Sequence, residues 1–467
     1  MRRRLRTDRT SADARAPGAA AEESSNDAGA RRVGAPLLCA AAVMHVLLSV
    51  AVYALGGASV LPGTFDGNGV AVSFASDGVR YRADAAALSE SLRRGEPGAW
   101  ASADKPFHVK LYAVSFALFG PLLGYNVAGA EPLNVLLYLA CVALVFRIGR
   151  EVFGRGAGLR AACAVALWPS FLLHTTQFLK DPLFVALTLA LVLVNTLWLT
   201  REPTWAGALL TGAAGGLVVT ALWLARSGTG EVLFALVLLG ALALVARQAR
   251  ERRLLAANVA GAALVFALTL GVPRLMPGAL ELGRSPSAAR WAGRATQQNS
   301  AREGFLSGTA ARVGRVRRSF VEVYAEPGSN VDADVRVESA PELLRYLPRA
   351  AEVGFFAPFP AMWFSAGKSV GTAGRLLGGV ETLLLYAVEA LALLTLWRAR
   401  RRPEAWLLFA SAAAGMVALG LVAVNVGTLF RLRYVFVMLL IVLAAESSAR
   451  FFVRRPGETR PAAGAGA

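Results

Sequence analysis

Apolar residues in this chain are gathered into long blocks that short polar stretches separate. Most blocks run for roughly 17 to 23 residues, the length that an α-helix needs to cross about 30 Å of hydrocarbon. The pattern predicts an all-α, polytopic membrane protein with about ten transmembrane helices, or about eleven to thirteen if shorter apolar segments also cross. The predicted spans are residues 33–56, 131–148, 158–176, 182–199, 204–224, 230–246, 254–273, 379–397, 404–424 and 430–449.

Charge is distributed in a way that fits this topology. The net charge is +18, and a basic excess of this size can indicate nucleic-acid binding. Here, however, arginine clusters at 147–160, 247–253 and 398–402 all fall on the side of the N-terminus, where the positive-inside rule places basic residues if both termini are cytoplasmic. We therefore expect a multi-pass protein of the cell (plasma or inner) membrane, with membrane lipids and no nucleic acid among its partners.

The order of polar and apolar segments divides the chain into five parts. Residues near both ends have a composition that cannot bury a core. An outer loop at 57–130 interrupts the first group of spans, and a larger one precedes the last three. The predicted parts are a disordered cytoplasmic tail (1–32), a catalytic transmembrane module (33–273), a large outer loop (274–378), C-terminal spans (379–450) and a second cytoplasmic tail (451–467).

Two apolar segments are too short or too broken to count as spans. Pro358 and Pro360 interrupt residues 353–364, which we expect to be re-entrant or to lie in the membrane interface. Residues 110–123 are expected to form a helix on the outer surface. A crossing by either segment would place an arginine cluster outside, against the positive-inside rule.

The first outer loop carries a polar helix pattern. From Asp77 onward, positions 77, 80, 81, 84 and 88 share one helical face, which presents two carboxylates, a guanidinium and a phenol. One interpretation is a short helix, capped by Ser76 or Asp77, whose polar face is solvated. The other is a catalytic site just outside the membrane, and the helix pattern alone does not choose between them.

Further motifs follow Asp77 in order. Lys105-Pro106 comes later in the same loop, an aromatic-rich segment then ends in Leu-Phe-Gly at Gly120, and the turn Arg150-Glu-Val-Phe-Gly154 follows. This order, over roughly residues 60–240, resembles family 39 glycosyltransferases of the glycosyltransferase C superfamily. The resemblance implies an enzyme that moves a sugar from a polyprenyl-phosphate carrier to a glycan, lipid or protein acceptor on the outer face of the membrane.

The resemblance also implies roles for residues of the first loop. Asp77 matches the catalytic base that deprotonates the acceptor hydroxyl or amine in an inverting transfer. Arg80 and Tyr81 are expected to bind substrate, and Lys105 to contact the donor phosphate. Gly78 stands where the family often has a second acid, so that role is left unassigned. The alternative for Lys105 is a lysine that snorkels at the level of the lipid headgroups.

Four cations lie in short outer turns, where the positive-inside rule disfavours them. A charge close to a span has an energetic cost, so their presence calls for a reason. A lipid-linked phosphate would supply one, and the arginine pair before the last span also resembles motifs of polyprenyl-phosphate glycosyltransferases. The alternative is that these side chains hold lipid headgroups or pair with loop carboxylates. The four are Lys180, Arg226, Arg431 and Arg433.

Asp181 has two interpretations. Because Pro182 follows it, Asp181 can be the N-cap of the span that begins there, with the proline at the first helical position. The family that the chain resembles also carries an aspartate at this turn, which implies substrate binding or orientation of the acceptor. Both interpretations stay open at this point.

The sequence predicts no resident metal or cofactor. The three histidines, among them His108, stand alone, and no zinc-binding spacing is present. A divalent cation shared between the substrate phosphate and Asp77, Asp84 or Asp181 is left open.

Two other functions fit parts of the pattern. A polysaccharide polymerase or ligase would use Arg431 and Arg433 with a polyprenyl-diphosphate donor, but it would not account for the segment from Asp77 to Lys105. A non-enzymatic transporter of lipid-linked glycans would be expected to have discontinuous helices or charged groups near the middle of spans, and the sequence indicates that buried acids or lysines there are scarce. The large outer loop is expected either to recognise the acceptor or to cover the cavity.

Overall fold

The structure, a computed structural model, describes residues 17–58, 75, 77–202, 204–226, 228, 230–276, 305–323, 329–364 and 371–452. These residues form helices joined by turns, with an isolated β-bridge between Asn330 and Asn425. The prediction of an all-α protein is therefore confirmed. The helices are α1 (Pro17–Gly57), α2 (Asp77–Arg93), α3 (Pro97–Ser102), α4 (Phe107–Leu123), α5 (Val127–Phe153), α6 (Arg155–Ala166), α7 (Pro169–Thr175), α8 (Asp181–Thr200), α9 (Trp205–Ala225), α10 (Gly230–Glu251), α11 (Ala256–Leu275), α12 (Phe305–Val323), α13 (Ala340–Phe356), α14 (Gly371–Arg398), α15 (Pro403–Val422), α16 (Val426–Leu432) and α17 (Tyr434–Phe452), with a 3₁₀ turn at Pro360–Met362.

Apolar helices in the described residues match the predicted spans. Eight single helices are long and apolar enough to cross a membrane, and two bent pairs bring the number to ten if each pair is one span. The pairs are α6 with α7, bent by 65°, and α16 with α17, bent by 54°. The hydropathy of the sequence gives no indication of these bends. At the first bend, however, Pro169 begins α7, and a proline does not continue the helix before it. The chain is thus a multi-pass membrane protein.

The first helix is longer than its predicted span. α1 begins at Pro17, so the structure continues this helix into the segment that the sequence predicts to be disordered. The part from Gly34 to Gly57 has the length and composition to cross the membrane. Residues 1–16 and 453–467, which belong to the two predicted tails, lie outside the described residues.

Two packed cores fix the position of the first outer loop. The larger core fills the space between the spans. The smaller core joins α2, α4 and the first turn of α5, with Tyr81, Tyr112 and Phe116 among its buried side chains. Phe178, in the turn before α8, completes this smaller core. The loop is therefore packed onto the end of the bundle, beside the turn that carries Lys180.

Helix α4 covers the segment predicted to lie on the outer surface. Its Ser115 donates a hydrogen bond to the carbonyl of Gly129, in the first turn of α5. Leu118 and Leu122 remain exposed on α4. An exposed apolar face of this kind suits a helix in the membrane interface.

Residues 353–364 enter the bundle and turn back. α13 ends at Phe356, before the two prolines, as the sequence predicts. It packs closely along α15, where a Cβ atom added to Gly420 would lie 1.9 Å from the carbonyl oxygen of Ala350. The chain then returns to the beginning of α14, against which Trp363 packs. Because α15 ends and α14 begins on the same side of the bundle, the segment does not cross it.

The large outer loop is tied to the turn before the last span. Val331 donates its N–H to the carbonyl of Val424, and Val426 donates to the carbonyl of Ser329, both at 2.9 Å. These bonds hold the start of α16 against the loop. Because α16 carries Arg431, these bonds also help to fix the position of that arginine.

Candidate active site

Two of the turn arginines meet a carboxylate at one end of the bundle. α8 begins at Asp181, α9 ends just before Arg226, and α16 carries Arg431. Arg226 Nη1 lies 2.9 Å from Asp181 Oδ1, and Arg431 Nε lies 3.8 Å from Asp181 Oδ2. The Asp181 side chain is 6% exposed, and those of Arg226 and Arg431 are 17% and 16% exposed. A carboxylate thus lies between two guanidiniums where little water reaches it.

Lys180 adds a third positive charge to this group. It precedes Asp181 directly and is half-buried. Removal from water, followed by the nearby Arg226 guanidinium, lowers the pKa of Lys180 to about 8, although Asp181 opposes the shift. We call Lys180, Asp181, Arg226 and Arg431 the cation cluster. Three basic side chains face one acid in it, and such an excess suits an anionic ligand.

The structure contradicts the capping role predicted for Asp181. Lys180 occupies the N-cap of α8, and Asp181 is the first helical residue, with Pro182 next. The Asp181 carboxylate pairs with Arg226 and Arg431 instead. The physical reason is that both guanidiniums would otherwise be largely removed from water without a counter-charge.

Helix α2 places Asp77 and Tyr81 near the cation cluster. The helix begins at Asp77, which is exposed like Arg80, whereas Tyr81 is buried. Burial, followed by the Asp77 carboxylate, raises the pKa of Tyr81 to about 12, and the charge of Asp77 also acts on Lys180. The Arg80 guanidinium lies 5.5 Å from the centroid of the Tyr81 ring. Ser76, the other predicted cap, lies outside the described residues.

Lys105 forms an ion pair with Asp84. Its Nζ is 2.7 Å from Asp84 Oδ1, and the two side chains are 39% and 27% exposed. An ion pair as exposed as this contributes about 1 kcal/mol or less to stability. Lys105 can therefore exchange Asp84 for a phosphate at little energetic cost.

Arg433 points away from Arg431, to a different part of the bundle. It is 3% exposed, donates a hydrogen bond to the carbonyl of Ala357, and lies 4.6 Å from the centroid of the Phe430 ring. The two arginines are two residues apart at the break between α16 and α17, and residues at that spacing do not share a helical face. The sequence predicts that both arginines lie at the outer end of the last span, and the structure separates their side chains.

His108 is a site residue that the sequence analysis leaves unassigned. It lies in the first turn of α4, is 4% exposed, and meets the Tyr81 ring edge to face at a centroid distance of 4.5 Å. Burial, followed by the charge of Lys180, lowers the pKa of His108 to about 3, so the ring is neutral. Because this histidine stands alone in an apolar segment, the sequence does not indicate that it lies buried beside Tyr81.

Three acids are buried in the apolar helices of the described residues. Glu381 and Glu389 of α14 are buried, as is Glu131 of α5. Glu381 accepts hydrogen bonds from the N–H and the hydroxyl of Ser170 at 2.5 Å, and Glu131 lies 2.7 Å from Nδ1 of His45. Glu131 lies near the start of α5, and of the two acids in α14 Glu389 is the one nearer the middle of the span, so the expectation that charged groups near the middle of spans are scarce stays a prediction. Hydrogen bonds of this kind are, however, what structural polar groups also require.

Metal ligands do not gather within the described ranges. In those ranges no three His, Cys, Asp or Glu side chains lie together in a way that could hold an ion. Asp84 and Asp181 instead pair with cations. A divalent cation brought by the substrate phosphate would have to displace one of these cations or use Asp77.

Comparison with known proteins gives a distant structural likeness. No family model and no curated protein matches this chain. Two solved structures are similar to it: ArnT from Cupriavidus metallidurans bound to undecaprenyl phosphate, with a TM-score of 0.36, and the same protein in the apo state, with a TM-score of 0.34. Each is 16% identical, and each match covers 87% of this chain and 77% of that chain. At this distance neither a ligand nor a residue role transfers to this protein.

Proposed function

We propose that this protein is an integral membrane glycosyltransferase that moves a sugar from a polyprenyl-phosphate carrier to a glycan, lipid or protein acceptor. The cation cluster carries the proposal, because three basic side chains around one buried acid at the ends of the spans suit the phosphate of a membrane lipid. The motifs from Asp77 to Gly154 favour the same chemistry. The reaction would take place on the outer face of the cell membrane.

Asp77 is the base in the proposed reaction. It accepts the proton of the acceptor hydroxyl or amine while the acceptor oxygen or nitrogen bonds to the anomeric carbon of the sugar. The bond from that carbon to the phosphate oxygen breaks, and its electron pair leaves with the lipid phosphate. Attack on the face opposite the phosphate inverts the configuration of the sugar.

The cation cluster stabilises the leaving group. Negative charge builds on the departing phosphate, and Lys180, Arg226 and Arg431 are already in place before the reaction begins. Preorganised charge of this kind usually supplies the largest share of catalysis. Lys105 adds a contact to the phosphate after it leaves Asp84, and Arg80 and Tyr81 line the approach of the substrate.

Arg433 has a supporting place in the proposed site. It packs under Phe430, the residue before Arg431, and thereby holds the end of α16 in position. Its role in substrate binding is accordingly indirect.

An Asp77→Asn variant tests the proposal. A strain that lacks the protein is complemented with the parent, with Asp77→Asn or with Glu90→Gln, and its surface glycans are measured by mass spectrometry. Glu90 is a matched control, since it is an exposed carboxylate on the same helix that pairs at the surface with Arg93. We expect the parent and Glu90→Gln to restore a glycan that the deletion removes.

The loss of a general base typically reduces the rate about 10²- to 10⁴-fold, so Asp77→Asn should restore little of that glycan. Turnover of the identified polyprenyl-phosphate sugar by purified protein in lipid gives the same comparison directly. If folded Asp77→Asn protein turns over the donor as fast as the parent, Asp77 is not the base. If the deletion changes no surface glycan, the proposed function itself fails.

A further inference from the structure

The buried ring of His108 has hydrogen-bonding capacity that the protein leaves unused. Neither Nδ1 nor Nε2 has a hydrogen-bond partner among the described residues, although the side chain is 4% exposed. A neutral imidazole carries one N–H donor and one acceptor. Buried polar atoms in folded proteins are nearly always paired, so an exception calls for an explanation.

The surroundings of His108 indicate what the missing partner is. Its ring meets the edge of Tyr81, the buried residue on the helix that carries Asp77. The charged groups that act on His108 are Lys180, Asp181, Arg226 and Arg80, three of them cations. Burial, followed by the charge of Lys180, keeps the ring neutral, and a neutral ring adds a hydrogen-bond donor without adding to the charge repulsion.

We propose that the N–H of His108 binds a phosphoryl oxygen of the ligand that the cation cluster holds. The inference rests on the proposed function, in which that ligand is a lipid-linked phosphate. The three cations neutralise the phosphate, and His108 fixes the direction of one oxygen. His108 is a binding residue and takes no part in proton transfer.

Two substitutions separate this contact from a packing role. His108→Phe keeps an aromatic ring against Tyr81 and removes both nitrogens, whereas His108→Gln keeps an N–H donor. Binding of farnesyl phosphate and of farnesol is measured by titration calorimetry on full-length protein in detergent micelles. Farnesol has the same chain without the phosphate and serves as the control ligand.

We expect His108→Phe to weaken binding of farnesyl phosphate about tenfold, which corresponds to about 1.4 kcal/mol, while binding of farnesol stays unchanged. His108→Gln should recover part of the loss. The Tm of His108→Phe should equal or exceed that of the parent, because the variant removes unpaired buried nitrogens. Equal binding of farnesyl phosphate by parent and His108→Phe would overturn the inference, and so would an equal loss for farnesol.

Inorganic phosphate distinguishes the source of the ligand. If His108→Phe weakens inorganic phosphate and farnesyl phosphate alike, the contact recognises a free phosphate. If it weakens only farnesyl phosphate, the prenyl chain is needed to bring the phosphate to His108. Both results support the contact. Failure of the parent to bind farnesyl phosphate at all would refute the proposed function, a result distinct from the failure of His108 alone.

A measurement on the parent covers the case in which both variants misfold. The chain has three histidines, so ¹⁵N-labelled histidine gives few ring signals. Farnesyl phosphate should move the ring nitrogen signals of one histidine, and farnesol should not. No movement on binding would overturn the inference.

Discussion

Asp181→Asn tests whether the cation cluster is an anion site balanced by one carboxylate. The substitution keeps the shape of the side chain and removes its charge. Lys180, Arg226 and Arg431 are then left without the acid that lies between the arginines. We expect the variant to fold but to be less stable than the parent. Anions that bind to the cation cluster should restore its stability.

The structure gives the size of the loss. With an effective dielectric constant of about 20, the Coulomb attraction is about 6 kcal/mol for the pair at 2.9 Å and about 4 kcal/mol for the pair at 3.8 Å. Desolvation of the buried carboxylate offsets much of this, and breaking a buried pair typically costs about 3–5 kcal/mol. We expect about 3 kcal/mol for Asp181→Asn, because Lys180 can lose its proton and relieve part of the repulsion.

Thermal unfolding in detergent micelles, with and without farnesyl phosphate, measures the effect. Farnesyl phosphate at a hundred times its Kd should return about 2.7 kcal/mol to the variant. Glu338→Gln is the matched control, since Glu338 pairs with Arg318 at 2.8 Å but both side chains are about half exposed, and its loss should be about 1 kcal/mol or less. If Asp181→Asn is as stable as this control, the carboxylate does not balance the cluster. A loss of stability that no phosphate reverses would mean that the cluster is structural.

Of three further predictions, two concern the protonation of Lys180 and one concerns the packing of Gly420. Because the pKa of Lys180 is about 8, the affinity for a prenyl phosphodiester should fall up to about tenfold for each pH unit above this value. Lys180→Arg should remove this pH dependence. Calorimetry between about pH 7 and pH 10 would measure both effects. In the unfolded chain Lys180 has the ordinary lysine pKa of 10.5, so between about pH 8 and 10.5 the unfolded state binds more protons than the folded state. The contribution of Lys180 to the free energy of unfolding should therefore rise with pH across this window. A Lys180→Met variant should lack that rise. Gly420→Val should lower stability by about 1–3 kcal/mol, since its Cβ atom would lie 1.9 Å from the Ala350 oxygen. Gly378→Ala in α14, with nothing within 4 Å, should leave the Tm unchanged or raise it, and equal melting of both glycine variants would contradict the close packing of α13 on α15.

The membrane-length helices could be predicted because each of them carries its own signal. About twenty consecutive apolar residues identify a crossing helix without any knowledge of its neighbours. Hydropathy does not reveal the bends between α6 and α7 and between α16 and α17, since a straight and a broken apolar run have the same hydropathy, although Pro169 marks the first of the two bends. The end of α13 at Phe356 was predictable, because the prolines after it act locally on the backbone.

Residues of the candidate site could be predicted only where a charged residue stood in a position that the positive-inside rule disfavours. Lys180, Arg226 and Arg431 were identified because cations in short turns that are predicted to lie outside are unusual, and the structure brings these three together. Pairing of the turn arginines with a loop carboxylate was one of the two alternatives from the sequence, but it could not be predicted that this carboxylate is Asp181, since that depends on which helix ends pack side by side. The same holds for His108, whose importance comes entirely from the burial of its ring beside Tyr81.

Asp181 of the cation cluster and Asp77 of α2 differ in what they can do chemically. Asp181 is buried, and guanidiniums lie beside both of its oxygens, so its lone pairs are engaged by Arg226 and Arg431. Asp77 is exposed at the first residue of α2, within electrostatic reach of Lys180 and Tyr81. A base must be reached by the group that it deprotonates, whereas a counter-ion must be held still. Asp77 therefore meets the requirement for the base and Asp181 that for the counter-ion, so exchange of Asp for Asn should reduce turnover at the first position and stability at the second.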